Sequence, residues 1–305
     1  MSGSRPAQLP TRAPFNLEAT VRVLQRRPSN LVDVWQDAQY VRVLELEQGP
    51  ILVEVQNRGT IDVPDVRYCI RSGDPSAAVT ATLRRVLGLD VVPAVLQFPV
   101  PIDGPLRSTV VALRGMRPPR FVNLFESFVN VVPFQQLSLD AGVSIIGRLV
   151  QRFGRSVEHD GRQYHASPGA RVIAAARLDQ LRACGLSRGK AQTLRNLARM
   201  IEARDLSEEE ISRMTSSQAL RALMELPGIG PWSAALVLLR GFGRLDVFPP
   251  GDVGAARGLA PLLQLDRPTS IDLAVERFGD RRGYLYFCGL GASLLARGLI
   301  QNAAP

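Results

Sequence analysis

Between two stretches of helical periodicity, Ile211–Glu225 and Trp232–Leu239, runs the string Leu226-Pro227-Gly228-Ile229-Gly230-Pro231-Trp232. Two glycines one residue apart let the backbone turn tightly without Cβ clashes. Pro231 suits the first turn of the second helix, where a missing N–H costs nothing. The product is a helical hairpin. The N–H groups left free where its second helix starts can hold a phosphate oxygen. Such a contact positions a protein on nucleic acid without reading sequence. A glycine pair alone would also suit an ordinary helical hairpin; the whole string in this helix-to-helix setting is more specific.

The rest of the chain sorts around that hairpin. Residues 1–14 are polar, with Pro and Arg, and are expected to be a disordered lead-in without the apolar core of a signal peptide. Residues 15–110 have strand character. Thr20–Leu24 and Tyr40–Leu46 alternate apolar and polar, Ile51–Val55 follows the turn signal Gln48-Gly49-Pro50, and Thr60–Ile70 adds a further β-like run. Ala77–Leu87 is amphipathic, with Asp74 or Ser76 near its N-cap, and the Pro- and Gly-rich stretch Pro93–Arg107 is expected to be a linker. From about residue 115 the period turns helical. Helices are expected at Phe121–Val131, Ala141–Phe153, Gly169–Ala176, Asp179–Cys184, Lys190–Ala203, Ser207–Leu226, Pro231–Leu239, Val253–Leu263, Ile271–Phe278 and Gly283–Ile300. The class is therefore α+β: an N-terminal antiparallel β-sheet domain with a packed helix over 15–110, then an all-α domain over 111–305.

Charge narrows the partner. The net charge is +9, and residues 111–200 alone hold 14 Arg plus Lys against 5 Asp plus Glu. A basic surplus concentrated in one stretch is the footprint of a polyanion partner, although an Arg-rich solvated face would count the same. Lys190 is the one lysine. Cys69, Cys184 and Cys288 are too sparse for a disulfide framework, and no CxxC pair or Cys/His cluster suggests zinc. Four cysteine ligands for an iron–sulfur cluster are not present. Mean hydropathy is near zero and no apolar run is long enough for a membrane span. For a bacterial chain the expected location is the cytoplasm, on the nucleoid.

With the hairpin, a Gly/Pro-rich loop and an aspartate after it, the sequence resembles the helix-hairpin-helix DNA glycosylases. The loop runs from Leu239 to Asp252 and ends Asp246-Val247-Phe248-Pro249-Pro250-Gly251-Asp252. That ending is similar to the 3-methyladenine DNA glycosylase II branch, whose members also carry an N-terminal β-rich domain. Phe134-Gln135-Gln136-Leu137-Ser138 and Leu181–Ala191 match further landmarks, so the resemblance is specific over about residues 112–296. It implies roles position by position. Asp252 falls at the catalytic aspartate. Gln136, or Leu137 beside it, would fill the gap left in the base stack. Gly228, Gly230 and Pro231 belong to the DNA-binding hairpin. Carbonyls of Met224, Leu226 and Ile229 match a monovalent cation site, with no other cofactor required. Trp232, Leu236, Phe248, Arg281 and Tyr284 are the candidates for the base pocket.

The chemistry suits those residue types. Breaking an N-glycosidic bond builds positive charge on the sugar, which a fixed carboxylate stabilises while it orients or deprotonates a water. An alkylated purine is already cationic and needs little acid assistance to leave. The base must first be flipped out of the stack, which needs a wedge and a pocket. Asp252 also immediately precedes the helix pattern Val253–Leu263, so a helix N-cap is its plain structural role. Asp246, the rival carboxylate, is read as structural. Members of the class that cut the strand use a lysine Schiff base, at the position held here by Trp232. A hydrolase without lyase activity follows, acting as a monomer on duplex DNA with damaged bases.

Two departures bear on the substrate. Leu236 stands where a pocket aromatic is usual, and Arg281 stands near another such position; Phe242, Phe248, Tyr284 and Tyr286 are the rings that would compensate. An arginine in the pocket would repel a cationic base. Methylated purines stay first, with hypoxanthine or uracil as alternatives. A non-catalytic DNA-binding module using the hairpin alone is the rival from another class. His159 and His165 are expected in an exposed polar loop, Trp35 in the core of the β-rich domain, and Arg188 with Lys190 either on phosphate or in solvent.

Overall fold

The structure is a computed structural model, which describes residues 6–46, 48–73, 77–267 and 271–303. Its first half is a five-stranded antiparallel sheet in the order β1-β5-β4-β3-β2, built from Ala7–Gln8, Val34–Gln36, Gln39–Leu46, Gly49–Asn57 and Val66–Ser72. Helices α1 (Leu17–Gln25) and α2 (Ala77–Val86) cover one face. The lead-in differs from expectation. Ala7–Gln8 is the edge strand, Leu9 is buried, and Arg117 donates to the carbonyls of Arg12 and Pro14.

Helix α1 overturns the strand expected over Thr20–Leu24. Asn16 caps it, accepting from Ala19 N at 2.9 Å. Leu17, Val21 and Leu24 pack into the sheet's core, while Ala19 and Val23 face the helical core. A helix buried on two sides puts apolar residues at both odd and even positions, so its sequence mimics alternation. The N-cap expected at Asp74 or Ser76 lies outside the described residues.

The stretch 93–107 is no plain linker. It forms a 3₁₀ turn, Pro93–Leu96, and then enters helix α3 (Gly104–Ala112). The boundary expected at 110 thus falls inside a helix, whose Leu106 joins the helical core together with Leu113.

The second half is helical: α4 (Leu124–Val129), α5 (Leu139–Phe153), α6 (Ala170–Ala175), α7 (Leu178–Ala183), α8 (Arg188–Ala203), α9 (Glu208–Arg213), α10 (Ser216–Met224), α11 (Pro231–Val237), α12 (Val253–Leu259), α13 (Ile271–Glu276) and α14 (Arg282–Ala296). Two readings change. Ser207–Leu226 is two helices, because Met214 is extended and Thr215 with Gln218 forms a capping box that starts the second. The polar loop around Glu158–Gln163 is a hairpin, β6 (Ser156–His159) with β7 (Arg162–His165), and both histidines are half-buried on its strands. Its Tyr164 packs with Val41 and Val43 of the sheet.

A buried ionic cluster ties the halves together. Arg42 on β3 donates to Asp33 at 2.5 Å and to both oxygens of Glu126 on α4, at 2.7 and 2.6 Å. Burial opposes its charge, but Asp33 and Glu126 more than offset that and hold its pKa well above the ordinary arginine value. Trp35 packs at the margin of the sheet core, and Cys184 and Cys288 are buried while Cys69 is half-buried. Among the described residues no helix is long and apolar enough to cross a membrane.

Candidate active site

Three loops converge at one end of the helical half. The first is the hairpin between α10 and α11. Gly228 has φ +85°, and a Cβ there would sit 2.1 Å from Thr193 Oγ1, so both conformation and space demand glycine. Gly230 is different. A Cβ there meets no atom within 4 Å, so its bare backbone faces open space beside Pro231.

The second is the loop between α4 and α5. Gln136 has φ +56°, and both Gln136 and Leu137 stand exposed at its tip. Polar contacts brace the loop from both sides. Gln135 Nε2 donates to Gly228 O at 2.9 Å and to Ser233 Oγ at 3.0 Å. Lys190 Nζ donates to the carbonyls of Pro133 and Gln135, and burial pulls its pKa down. The lysine read as either on phosphate or in solvent therefore stiffens the loop. Arg188, beside it, is exposed.

The third is the long loop ending at Asp252. Asp252 Oδ1 accepts from Ala255 N at 2.8 Å and caps α12, while Oδ2 accepts from Trp232 Nε1 at 2.8 Å. One rotamer both caps α12 and meets the indole of Trp232. The carboxylate is fixed by two donors yet half-buried, and each oxygen keeps a lone pair for another contact.

Asp252 stands where two hollows meet. A groove of about 800 Å³ carries Gln136, Leu137, Lys190, Gly228, Gly230 and Pro231 on its walls. A deeper cavity of about 510 Å³ opens beside it, within the range of small-molecule pockets. Trp232 and Asp252 line both.

Of the residues expected in the base pocket, Trp232 and Leu236 line the cavity; Phe248, Arg281 and Tyr284 do not. The reason lies in α14. Tyr286, Gly289, Leu290 and Ser293 face the cavity at helical spacing. Tyr284 lies two residues earlier, about 200° around the helix. Its hydroxyl donates to Met116 O at 3.3 Å and its ring packs against Phe98. Phe248 is buried in the core, and Arg281 sits at the N-cap of α14, donating to Asp280 O. Phe242 is likewise core. Of the four rings named to compensate for Leu236, Tyr286 alone reaches the cavity. Asp246, the rival carboxylate, lines neither hollow; its backbone carbonyl accepts from Arg282 Nε at 2.7 Å.

The structure adds wall residues that the sequence did not announce. Phe134 contributes a ring, and Arg26 arrives from the C-cap of α1 in the first domain. Nothing in the Gln25-Arg26-Arg27-Pro28 string marks it, because the contact spans more than 200 residues of chain to Asp252. The fully buried Arg240 lies near, stacked 4.8 Å from the Phe121 ring centroid. Burial, then the charge of Arg26, weakens its hold on its proton.

A family model described as HhH-GPD superfamily base excision DNA repair protein matches residues 129–277, and one described as AlkA N-terminal domain matches residues 6–123. The chain belongs to the HhH-GPD superfamily, in its AlkA branch. It is 30% identical, over 83% of its length, to a probable bifunctional transcriptional activator/DNA repair enzyme AlkA of Mycobacterium tuberculosis, and covers 50% of that protein. It is 27% identical to DNA-3-methyladenine glycosylase 2 of Escherichia coli, over 78% of this chain and 82% of the other. The chain thus spans about half the length of the mycobacterial relative. A 3-methyladenine DNA glycosylase from Archaeoglobus fulgidus shares the HhH-GPD fold with a TM-score of 0.75 at 24% identity, covering 95% of this chain and 99% of that one.

Proposed function

We propose that the chain is a monofunctional DNA glycosylase that hydrolyses the N-glycosidic bond of a flipped damaged base, in the first place an alkylated purine, and leaves an abasic site. The observation that carries this is the Asp252 carboxylate, fixed by Trp232 and Ala255 at the mouth of a base-sized cavity. In this reading the hairpin of Gly228, Gly230 and Pro231 grips a phosphate of double-stranded DNA. Gln136 and Leu137 enter the stack and hold the space of the departed base. Asp252 then faces the sugar as charge develops at C1′, and orients the attacking water.

The position that would carry a Schiff-base lysine holds Trp232, and Lys190 is engaged with two carbonyls. Both favour hydrolysis without strand cleavage. The relatives named as 3-methyladenine glycosylases support an alkylated base as the substrate. We also assign a monovalent cation to the hairpin. The carbonyl of Leu226, which accepts from Ile229 N at 3.0 Å, keeps a lone pair for it, and those of Met224 and Ile229 flank it along the same turn. Such an ion would be held by these three oxygens and would stiffen the turn. The enzyme is taken to act as a monomer.

The test is base release from a panel of lesion duplexes by the wild type beside Asp252→Asn. The expected result is release by the wild type, a loss of about 10²–10³-fold in the variant, and retained DNA affinity. Equal base release by both proteins would refute Asp252 as the catalytic group. DNA binding with no base release by either would leave a hairpin module in place of an enzyme.

A further inference from the structure

We propose that the chain carries a second ligand site, away from Asp252, in a cleft at the seam between its two domains, and that this site takes a small linear polyamine. The cleft measures about 320 Å³, at the lower end of small-molecule pockets. The first domain supplies Arg42, Val43 and Glu45 from β3, and the second supplies the entries to α4, α6 and α9 with the end of α8. The cleft shares no wall residue with the groove or the cavity beside Asp252. Helix α8 keeps them apart. Lys190 and Thr193 line the groove near its start, Ile201 and Glu202 line the cleft at its end, and the rise from Lys190 to Ile201 is about 16 Å.

Charge selects the occupant. The whole chain carries +9, yet the cleft wall holds four carboxylates, Glu45, Glu126, Glu202 and Glu208, against one cation, Arg42. Arg42 is held by Glu126 and Asp33, Glu45 pairs with Arg155, and Glu208 pairs with Arg85. Glu202 is exposed and, among the described residues, meets no cation. A phosphate would face like charge here, which excludes DNA and nucleotides and favours an organic cation.

Acidic side chains alone would gather counter-ions without holding any of them in place. Ser167 makes the cleft a site. It is 8% exposed, it lines the wall, and its hydroxyl has no hydrogen-bond partner among the described residues. A buried hydroxyl left unpaired costs free energy, and an ammonium N–H donated to its oxygen removes that cost. The rest of the wall includes Val43, Leu124, Phe125, Ile201 and Leu206. A methylene chain with an ammonium at each end fits this lining. Its carbons cover the apolar side chains, one ammonium donates to Ser167 Oγ, and the other meets Glu202. A bare divalent ion does not fit, since it needs oxygen ligands on every side, and no group of three metal-ligating side chains occurs among the described residues. Because both domains form the wall, the occupant joins the seam that Arg42, Asp33 and Glu126 already bridge, and stabilises the docked pair by mass action.

The experiment is thermal unfolding and titration calorimetry of the full chain without DNA, at constant ionic strength, with spermidine as the probe and magnesium chloride as the control. The proteins are the wild type, Glu202→Gln and Ser167→Ala. Spermidine is expected to bind the wild type with one-site saturation and to raise its Tm by about 2–4 °C, while magnesium does neither. Glu202→Gln is expected to weaken spermidine binding by about two- to fivefold, as suits an exposed ion pair, with the Tm in the absence of spermidine unchanged. Ser167→Ala has no bonded partner to lose, so without spermidine it is expected to be at least as stable as the wild type, and to bind spermidine about tenfold more weakly. If Ser167→Ala does not fold, the Glu202→Gln affinity decides. Equal shifts with spermidine and magnesium, binding that does not saturate, or an affinity that neither variant changes would overturn the inference. None of these readouts involves base release, so the site stands or falls apart from the glycosylase reading.

Discussion

The Trp232 indole donates to one oxygen of Asp252 while the Ala255 amide donates to the other, each at 2.8 Å. The first bond joins the start of the hairpin's second helix to the end of the long loop, and so sets where the carboxylate points. A hydrogen bond to a charged group contributes about 1.5–3 kcal/mol. Trp232→Phe retains a ring and removes the donor. Base release is expected to fall by about tenfold or more, with DNA affinity unchanged within a few-fold. Single-turnover rates beside a binding isotherm check it. An undiminished rate would show that the bond does not orient the carboxylate.

The second bond makes Asp252 structural as well. Asp252→Asn retains an N-cap acceptor for Ala255, whereas Asp252→Ala removes it. The alanine variant is expected to lose about 1 kcal/mol of stability relative to the asparagine variant. Both are expected to be equally poor at base release. Thermal or urea unfolding of the pair separates the two roles of one side chain.

Where sequence reading succeeded and failed follows from the range of each interaction. The hairpin turn and the helix entry at Asp252 are local strings whose backbone demands are written in Gly, Pro and Asp chemistry, whereas Gln136 and Leu137, expected from the resemblance, stand exposed at a loop tip that no such residue marks. The pocket wall is assembled over long range. Arg26 comes from another domain, and the choice of Tyr286 over Tyr284 depends on the rotation of α14 against α12, where Gly258 and Gly289 approach closely. The break at Thr215 was readable in principle, since Thr215-Ser216-Ser217-Gln218 is itself a capping string. Helix α1 was not, because burial on two faces erased its period.

The two hairpin glycines are expected to fail differently. Gly228→Ala forces a Cβ into Thr193 at a positive φ, so it is expected to destabilise the fold by about 1–3 kcal/mol. Gly230→Ala points a methyl into open space, so stability is expected to hold while DNA affinity drops. Unfolding curves and salt-dependent binding of both variants test this. Gly230→Ala with full affinity would remove the hairpin from the DNA contact.

Glu126→Gln tests the link between the halves. Arg42 would retain Asp33 but lose the charge of its bidentate partner inside the protein. Breaking a buried pair on one side costs about 3–5 kcal/mol. The retained Asp33 and the amide oxygen put the expected loss at the low end of that range. The cluster lies away from the cavity walls, so surviving folded protein is expected to release base at the normal rate. A stability change under about 1 kcal/mol would mean that the cluster holds little of the interface together.

Lys190→Met addresses the wedge. The lysine holds the carbonyls of Pro133 and Gln135, on the segment that ends in Gln136 and Leu137. Removing it leaves two acceptors without their donor and loosens the tip, so duplex DNA should be opened less efficiently. The variant is expected to release a lesion base from duplex several-fold more slowly. The deficit should shrink when the lesion lies opposite a mismatch, where less stacking and pairing energy must be overcome. Comparing matched and mismatched duplexes isolates the effect from general instability, which would slow both alike. A catalytic lysine predicts a different pattern: complete loss of activity on both duplexes, and a borohydride-trappable adduct in the wild type.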